Sequence, residues 1–149
     1  MENIKIKNYY NKMSEDSRMI LVNMLADNLI YLHDFDIVDK EVIKSISSLI
    51  VILIDYKTNS KIKEFYDFTS YEKKVLYSIL MDGIASIYVD NEYLEYSDIG
   101  TKYKQTIIHE LLSFFKYLTK FSKDKVFLLY TKEVKKYRLK GFNWDNISY

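Results

Sequence analysis

The chain has no cysteine. Disulfide frameworks, thiolate metal sites and cysteine nucleophiles are therefore excluded, and a reducing compartment is the expected environment. Residues 1–5 also lack the basic stretch followed by an apolar stretch that marks a secretory signal. From these two features we expect a cytoplasmic protein.

Proline is absent as well, and glycine occurs three times. Arginine and alanine are almost as scarce, since the chain holds only Arg18, Arg138, Ala26 and Ala85. Lysine, isoleucine, tyrosine and asparagine dominate instead, and their codons are AT-rich. This bias indicates an AT-rich source, such as a low-GC bacterium, its phage or plasmid, or a virus.

Long hydrophobic runs and a strong charge of one sign are also missing. The longest uncharged apolar stretch, residues 45–54, is about half of what a membrane-spanning helix requires. The formal net charge is +1, which gives no global attraction to a polyanion. The length of 149 residues, without repeats or linkers, predicts one domain over residues 1–149.

What the sequence does contain is an apolar hexamer at residues 49–54, Leu-Ile-Val-Ile-Leu-Ile. Six consecutive apolar side chains indicate burial on all sides, in a bundle helix or in a central strand. The flanks favour a helix, because Asp39 can cap its start and no turn signal occurs before residues 57–60. We therefore predict a mostly α-helical, single-domain bundle of about five to six helices around a buried central helix at 40–56.

Amphipathic patterns predict the other helices. Ser14 is a good N-cap, and Thr69 with Glu72 forms a capping box. The predicted ranges are 15–33, 70–86, 102–121 and 123–140, the last ending at a left-handed Gly141 before an aromatic tail at 141–149. Three segments stay open: 3–12 is a strand or a first helical turn, 61–68 is one or two helical turns, and 87–96 is a small β-hairpin or a helix continuing to Tyr93.

No catalytic or metal signature is complete. His109 and Glu110 begin like a zinc-protease helix, but Ser113 stands where the second histidine would lie. His33 and Asp34 could contribute to a metal cluster, yet His109 is the only other histidine available. The glycines are isolated, so no phosphate-binding loop is present. We expect no enzyme, no metal and no cofactor.

An acidic, tyrosine-rich segment is the favoured docking surface. Residues 82–98 contain five acids and neither lysine nor arginine. Tyrosine is enriched at protein interfaces, and carboxylates attract a basic partner. The expected contact residues are Asp82, Tyr88, Asp90, Glu92, Tyr93, Glu95, Tyr96 and Asp98. The sequence thus predicts a non-enzymatic protein-binding module, encoded by a phage, plasmid or virus, that inhibits or regulates a host protein.

The alternative is a nucleic-acid-binding regulator. Residues 116–140 hold nine bases against two acids, with tyrosines interleaved. Such a helix can contact phosphates and stack on bases, although scarce arginine removes most bidentate base readout. The residues of this second surface are Lys132, Lys135, Lys136, Arg138, Lys140 and Trp144. The aromatic tail could instead pack against another chain, which would give a homodimer.

Overall fold

A computed structural model describes residues 2–58, 61–94 and 103–146, with side chains described as far as Leu139. Within these residues the chain forms six α-helices and one 3-10 turn, and no strand. The helices are α1 (Glu2–Asn11), α2 (Glu15–Asp34), α3 (Lys40–Ile54), α4 (Ser70–Asp90), α5 (Lys104–Thr119) and α6 (Lys123–Asn146), and the turn is Phe65–Asp67. The predicted mostly α-helical bundle is confirmed, and the open segments 3–12 and 61–68 form α1 and the 3-10 turn.

The predicted starts of α2, α3 and α4 are confirmed together with their caps, whereas α5, predicted from residue 102, begins at Lys104. Ser14 Oγ accepts a hydrogen bond from Ser17 N at 3.3 Å at the start of α2. Asp39 Oδ1 accepts one from Val42 N at 3.2 Å at the start of α3. At α4 both halves of the capping box form, since Thr69 Oγ1 accepts from Glu72 N and Glu72 Oε1 accepts from Thr69 N. Each cap satisfies an N–H group that has no partner inside its helix.

The prediction that α3 is the buried centre was wrong. Leu49 and Leu53 of the apolar hexamer are buried, but Ile54 is 47% exposed and residues 50–52 are half-buried. The reason is that α3 lies at the edge of the bundle, where α1, α2 and α4 cover one of its faces. That face includes the buried Ser45 and Ser48. Two serines therefore point inward, while the apolar residues 50–52 are only half-buried.

The central helix is α4, which packs against α2, α3, α5 and α6. In its C-terminal half, residues 79–81 and 83–87 are all buried, so this helix is covered on every side. It runs to Asp90 and ends at Asn91, whose φ of 58° is left-handed. The hairpin alternative at 87–96 was therefore wrong for residues 87–94. Ile87 packs in the core, and its burial favours the continuation of the helix to Asp90. Glu95 and Tyr96 lie outside the described residues.

The predicted end of the last helix at Gly141 was also wrong, because α6 continues through Gly141 to Asn146. One glycine inside a helix costs about 0.5–1 kcal/mol, which a long helix tolerates. Residues 141–146 of the expected tail are thus helical.

α6 runs parallel to α4. Tyr77 and Phe121 lie near the start of the pair, with ring centroids 6.3 Å apart, and Tyr88 and Tyr130 lie further along, also 6.3 Å apart. α5 connects them in the opposite direction, since Phe115 contacts Tyr77 and Lys104 contacts Tyr88. This arrangement places the acidic end of α4 beside the basic half of α6.

Candidate protein-binding surface

A groove follows one side of α6. We call it the α6 groove; it lies between Leu112 of α5, residues 126–139 of α6 and Tyr88 of α4. Its first half has a volume of about 780 Å³ and its second half about 680 Å³. Phe127 and Thr131 line both halves, so the two are continuous. The groove exists because α6 packs chiefly on α4 and touches α5 little.

The α6 groove exposes large apolar side chains. Phe127 is 66% exposed, and Leu128 and Leu139 are more than half exposed. Tyr130, Val134 and Tyr137 follow Phe127 at helical spacing, and all three are half-buried. A contiguous strip of this kind marks interaction surfaces more often than isolated exposed leucines do.

The rim of the α6 groove is basic. Lys116 and Lys123 flank its first half, and Lys135 and Arg138 flank its second half. All four side chains are exposed, and Asp124 is the one acid among the described residues that line it. The groove therefore combines an apolar floor with a positive border, which attracts an apolar ligand that carries negative charge at its edges.

Tyr88 closes the far end of the α6 groove. The Arg138 guanidinium lies 5.2 Å from the centroid of its ring, and Lys104 Nζ lies 5.4 Å from it. Lys104 Nζ also donates hydrogen bonds to Tyr88 O at 2.6 Å and to Asn91 Oδ1 at 2.8 Å. The lysine thus holds the C-terminal end of α4, where a cation is favourable, and two cations fix the ring against α6.

The predicted acidic docking segment lies against the protein's own helices over much of its described length. Tyr93 is half-buried, its hydroxyl oxygen accepts a hydrogen bond from Asn28 Nδ2 at 3.3 Å, and burial raises its pKa to about 12. Asp82 and Tyr88 are also half-buried, whereas Asp90 and Glu92 are exposed. Glu95, Tyr96 and Asp98 lie outside the described residues.

The acids of this segment face α6. Burial raises the pKa of Tyr137 on α6, and the carboxylates of Asp82, Asp90 and Glu92 raise the pKa further. Asp82 also lies in a groove that Lys132 and Lys136 of α6 line, so the acidic segment and the basic helix lie side by side.

The predicted basic residues divide between two sides of α6. Lys135 and Arg138 line the α6 groove, whereas Lys132 and Lys136 line a second groove of about 860 Å³ floored by α4. The carboxylates of Asp82 and Glu133 lie in that second groove as well. The side chains of Lys140 and Trp144 are outside the described part.

The histidine candidates sit apart from each other. Glu110, the neighbour of His109, accepts a hydrogen bond from Ser14 N at 2.8 Å and so helps to hold the start of α2. His33 Nδ1 lies 3.3 Å from Asp34 Oδ1, and both side chains are exposed. Over residues 2–58, 61–94 and 103–146, no three histidine, aspartate or glutamate side chains converge as metal ligands would.

The exposed or half-buried apolar members of the α6 groove that sequence reasoning missed include Leu112, Phe127, Leu128 and Leu139. One signal could have indicated Phe127 and Leu128: residues 126–130 read Val-Phe-Leu-Leu-Tyr, and five consecutive apolar residues of a helix cannot all face one neighbour. No helix in the described part of the chain is long and apolar enough to cross a membrane. Comparison of the chain with protein-family models, curated proteins and solved structures gave no match.

Proposed function

We propose that the protein is a non-catalytic protein-binding module whose α6 groove takes up an acidic amphipathic helix. The observation that supports this most directly is the exposed apolar strip of Phe127, Leu128 and Leu139 inside a basic rim. An amphipathic helix that lays its apolar face into such a groove uses anchors at positions i, i+3, i+4 and i+7. Its flanking carboxylates would meet the rim lysines.

The dimensions of the groove fit this partner. Residues 124–139 of α6 span about 22 Å at 1.5 Å per residue, which corresponds to about four turns of a bound helix. Each half of the groove has room for large side chains, and Phe127 separates the two halves. A partner helix would therefore place one apolar anchor on each side of Phe127.

The biological setting of the proposal rests on composition. The AT-rich codon bias and the absence of cysteine support a phage, plasmid or viral protein that works in the cytoplasm of its host. Such a module would inhibit or regulate a host protein by occupying one of its helices. Docking through the acidic segment 82–98 stays a prediction, and the contacts of Tyr88 and Tyr93 inside the molecule make the α6 groove the better-supported surface.

The test is fluorescence anisotropy with a labelled acidic amphipathic peptide of about 15 residues that carries leucines at i, i+3, i+4 and i+7 and glutamates elsewhere. We expect micromolar binding, and a matched peptide with lysine in place of each glutamate should bind at least about tenfold more weakly. The variant F127S/L128S should lose about 30-fold in affinity, the range of interface hot spots. Tyr66→Ser is the matched control, because Tyr66 is equally exposed but lies on the 3-10 turn.

The contribution of the basic rim to binding is tested with a second pair of variants. Lys135→Glu should weaken binding of the acidic peptide, and Lys44→Glu on the outer face of α3 should not. Equal affinity for both peptides, or F127S/L128S behaving like the wild type, would contradict the proposal. If the protein sedimented with phosphatidylserine vesicles and did not bind the peptide, a membrane-surface function would replace the proposed peptide binding.

Nucleic-acid binding is the second candidate, and the second groove favours it through Lys74, Lys132 and Lys136. Retention on heparin or DNA that falls steeply with salt, and that is lost in K132E/K136E, would identify this function. Asp82 and Glu133 reduce the positive potential of that groove, so we rank it below peptide binding.

A further inference from the structure

The end of α2 carries a second exposed apolar surface. We call it the α2 tip and define it as residues 30–39. Phe35 is 68% exposed, Ile30 and Tyr31 are more than half exposed, and Ile37 is about half exposed. The Tyr31 and Phe35 rings contact each other at 4.8 Å between centroids, so they form one aromatic projection.

The α2 tip is acidic as well as apolar. Residues 19–39 contain no lysine or arginine, and the exposed acids Asp34, Asp36 and Asp39 surround the apolar side chains. Its charge is therefore opposite to that of the rim of the α6 groove.

The backbone of the α2 tip is held in a defined shape. Asp36 has a left-handed φ of 52°, Asp36 N donates to His33 O at 3.2 Å, and Ile37 N donates to Leu32 O at 3.1 Å. These bonds close the C-terminal turn of α2, so little conformational entropy is lost when the tip binds.

We propose that the α2 tip of a second copy of this chain can occupy one half of the α6 groove, in place of a longer partner helix. This inference rests on the proposed function, because it uses the same groove and names its occupant. The rings of Tyr31 and Phe35 would contact the floor around Phe127, and the three aspartates would face the basic rim. The charges of the two surfaces are complementary, since the tip carries three exposed aspartates and no lysine or arginine, and the rim of the groove carries Lys116, Lys123, Lys135 and Arg138.

The contact joins two copies and does not close within one. Leu32 and Ile37 of the α2 tip line the second groove, together with Lys132 and Lys136. The α6 groove lies on another side of α6, where Leu112 and Leu128 line it. Each chain then offers both a tip and a groove, so the association is head-to-tail. Chains add beyond a dimer unless the last groove takes up the first tip and closes a ring.

The α2 tip is ten residues long, whereas stable interfaces use about 20–30 residues on each partner. We therefore expect association at protein concentrations of roughly 10 to 500 µM, weakened by salt because charges contribute. Sedimentation equilibrium of the wild type should give an average mass that rises with concentration above the 17.9 kDa of one chain.

The decisive experiment is a mixing test with two variants. F127S/L128S removes the groove surface and Y31S/F35S removes the tip surface, and each variant alone should stay monomeric. An equimolar mixture should form a 1:1 dimer and nothing larger, because it offers one intact groove and one intact tip per pair. The control Y56S/Y66S removes two rings that are equally exposed elsewhere and should associate like the wild type.

A monomeric wild type, association of either variant alone at the wild-type level, or a monomeric mixture would each overturn the inference. Far-UV circular dichroism confirms that every variant is folded. Binding of the acidic peptide distinguishes the proposed function from this inference. If the wild type and Y31S/F35S both bind the peptide but the wild type does not self-associate, the proposed function stands and this inference fails. Loss of both peptide binding and self-association in the wild type would overturn both.

Discussion

Gly83 of α4 lies directly against the Met24 side chain of α2. A Cβ atom at this position would lie 2.3 Å from Met24 Sδ and 2.7 Å from Met24 Cγ, and Met24 is fully buried. A side chain at position 83 would therefore displace Met24, and the absence of one offsets the weak helix propensity of glycine.

Gly83→Ala should lower the free energy of unfolding by about 1–3 kcal/mol, because overpacking outweighs the gain in helix propensity. Urea denaturation measures this change. The double variant G83A/M24A should be more stable than the sum of the single effects predicts, since the shortened side chain makes room for the methyl group. Gly141→Ala is the control, as it changes a helical glycine of α6 and should be neutral or slightly stabilising. Additive effects of G83A and M24A would contradict the contact.

Glu72 joins three parts of the chain through a buried carboxylate. It is 5% exposed, and its Oε1 atom accepts hydrogen bonds from Ser45 Oγ at 2.6 Å and from Lys63 Nζ at 2.8 Å. Burial raises the pKa of Glu72, but the hydrogen bonds from Lys63, Ser45 and Thr69 N outweigh burial and hold the pKa below its ordinary value. The hydrogen bond to Glu72 in turn raises the pKa of Lys63.

These shifts predict how stability depends on pH. Because the pKa of Glu72 is lower in the folded state, its contribution is present above the ordinary value of 4.5 and is lost as the pH falls through the folded pKa. Glu72→Gln should cost about 3 kcal/mol at pH 7, since it leaves Lys63 without its charged partner. The loss of stability between pH 5 and pH 3 should also be shallower in the variant, as shown by urea unfolding across that range.

Glu41→Gln is the matched control for this pH effect. Glu41 also faces Lys63, with 3.6 Å between Oε2 and Nζ, but its side chain is 64% exposed. It should change stability by less than about 1 kcal/mol. If the stability of E72Q fell between pH 5 and pH 3 as steeply as that of the wild type, groups other than Glu72 would cause the loss.

At the level of helices, the starts that carry a side-chain cap could be predicted, and the ends of α4 and α6 could not. Ser14, Asp39 and Thr69 mark starts because a cap is a local hydrogen bond between residues three apart in sequence. The end of α4 depends on distant residues, since Ile87 is buried only when its neighbouring helices are in place. Gly141 failed as a stop signal for a related reason: glycine permits a left-handed cap without requiring one.

The packing of α6 on α4 depends on Tyr88. Tyr88 contacts α6 through the Arg138 guanidinium over its ring and through the Tyr130 ring at its edge, and contacts of these kinds contribute about 0.5–1 kcal/mol each. Tyr88→Leu should therefore speed amide hydrogen exchange in residues 130–139 by about five- to thirtyfold, while residues 107–115 of α5 stay protected. Tyr71→Leu is the control, because Tyr71 is an exposed residue in the first turn of α4. Equal exchange in Y88L and the wild type would show that α6 is held elsewhere.

For the whole molecule, the fold class followed from the sequence, but the choice of central helix did not. The hexamer at 49–54 is the most apolar segment, yet α4 is central because four helices surround it. The inward face of α3 follows its polar contacts, since Ser45 binds Glu72 and Ser48 Oγ accepts from Lys63 N at 3.0 Å. Hydrophobicity summed along a segment does not contain this information.

The candidate site was likewise only partly predictable from the sequence. The opposite charges of segments 82–98 and 116–140 were visible in the sequence, but their position side by side required the parallel packing of α4 and α6. Phe127 and Leu128 are apolar residues of an amphipathic helix, but they are exposed because α5 touches α6 so little. Which face of an amphipathic helix is left uncovered is decided by its neighbours.

Asn3 of α1 has a consequence for synthesis of the chain. Its Oδ1 atom accepts a hydrogen bond from Phe65 N at 2.9 Å and its Nδ2 atom donates to Lys63 O at 3.2 Å, across 62 and 60 residues of sequence. A ribosome that adds about 5–20 residues per second needs roughly 3 to 12 s to make the intervening chain. During that interval the amide of Asn3 has no native partner, so α1 cannot complete its native hydrogen bonds until residues 63–65 have been made.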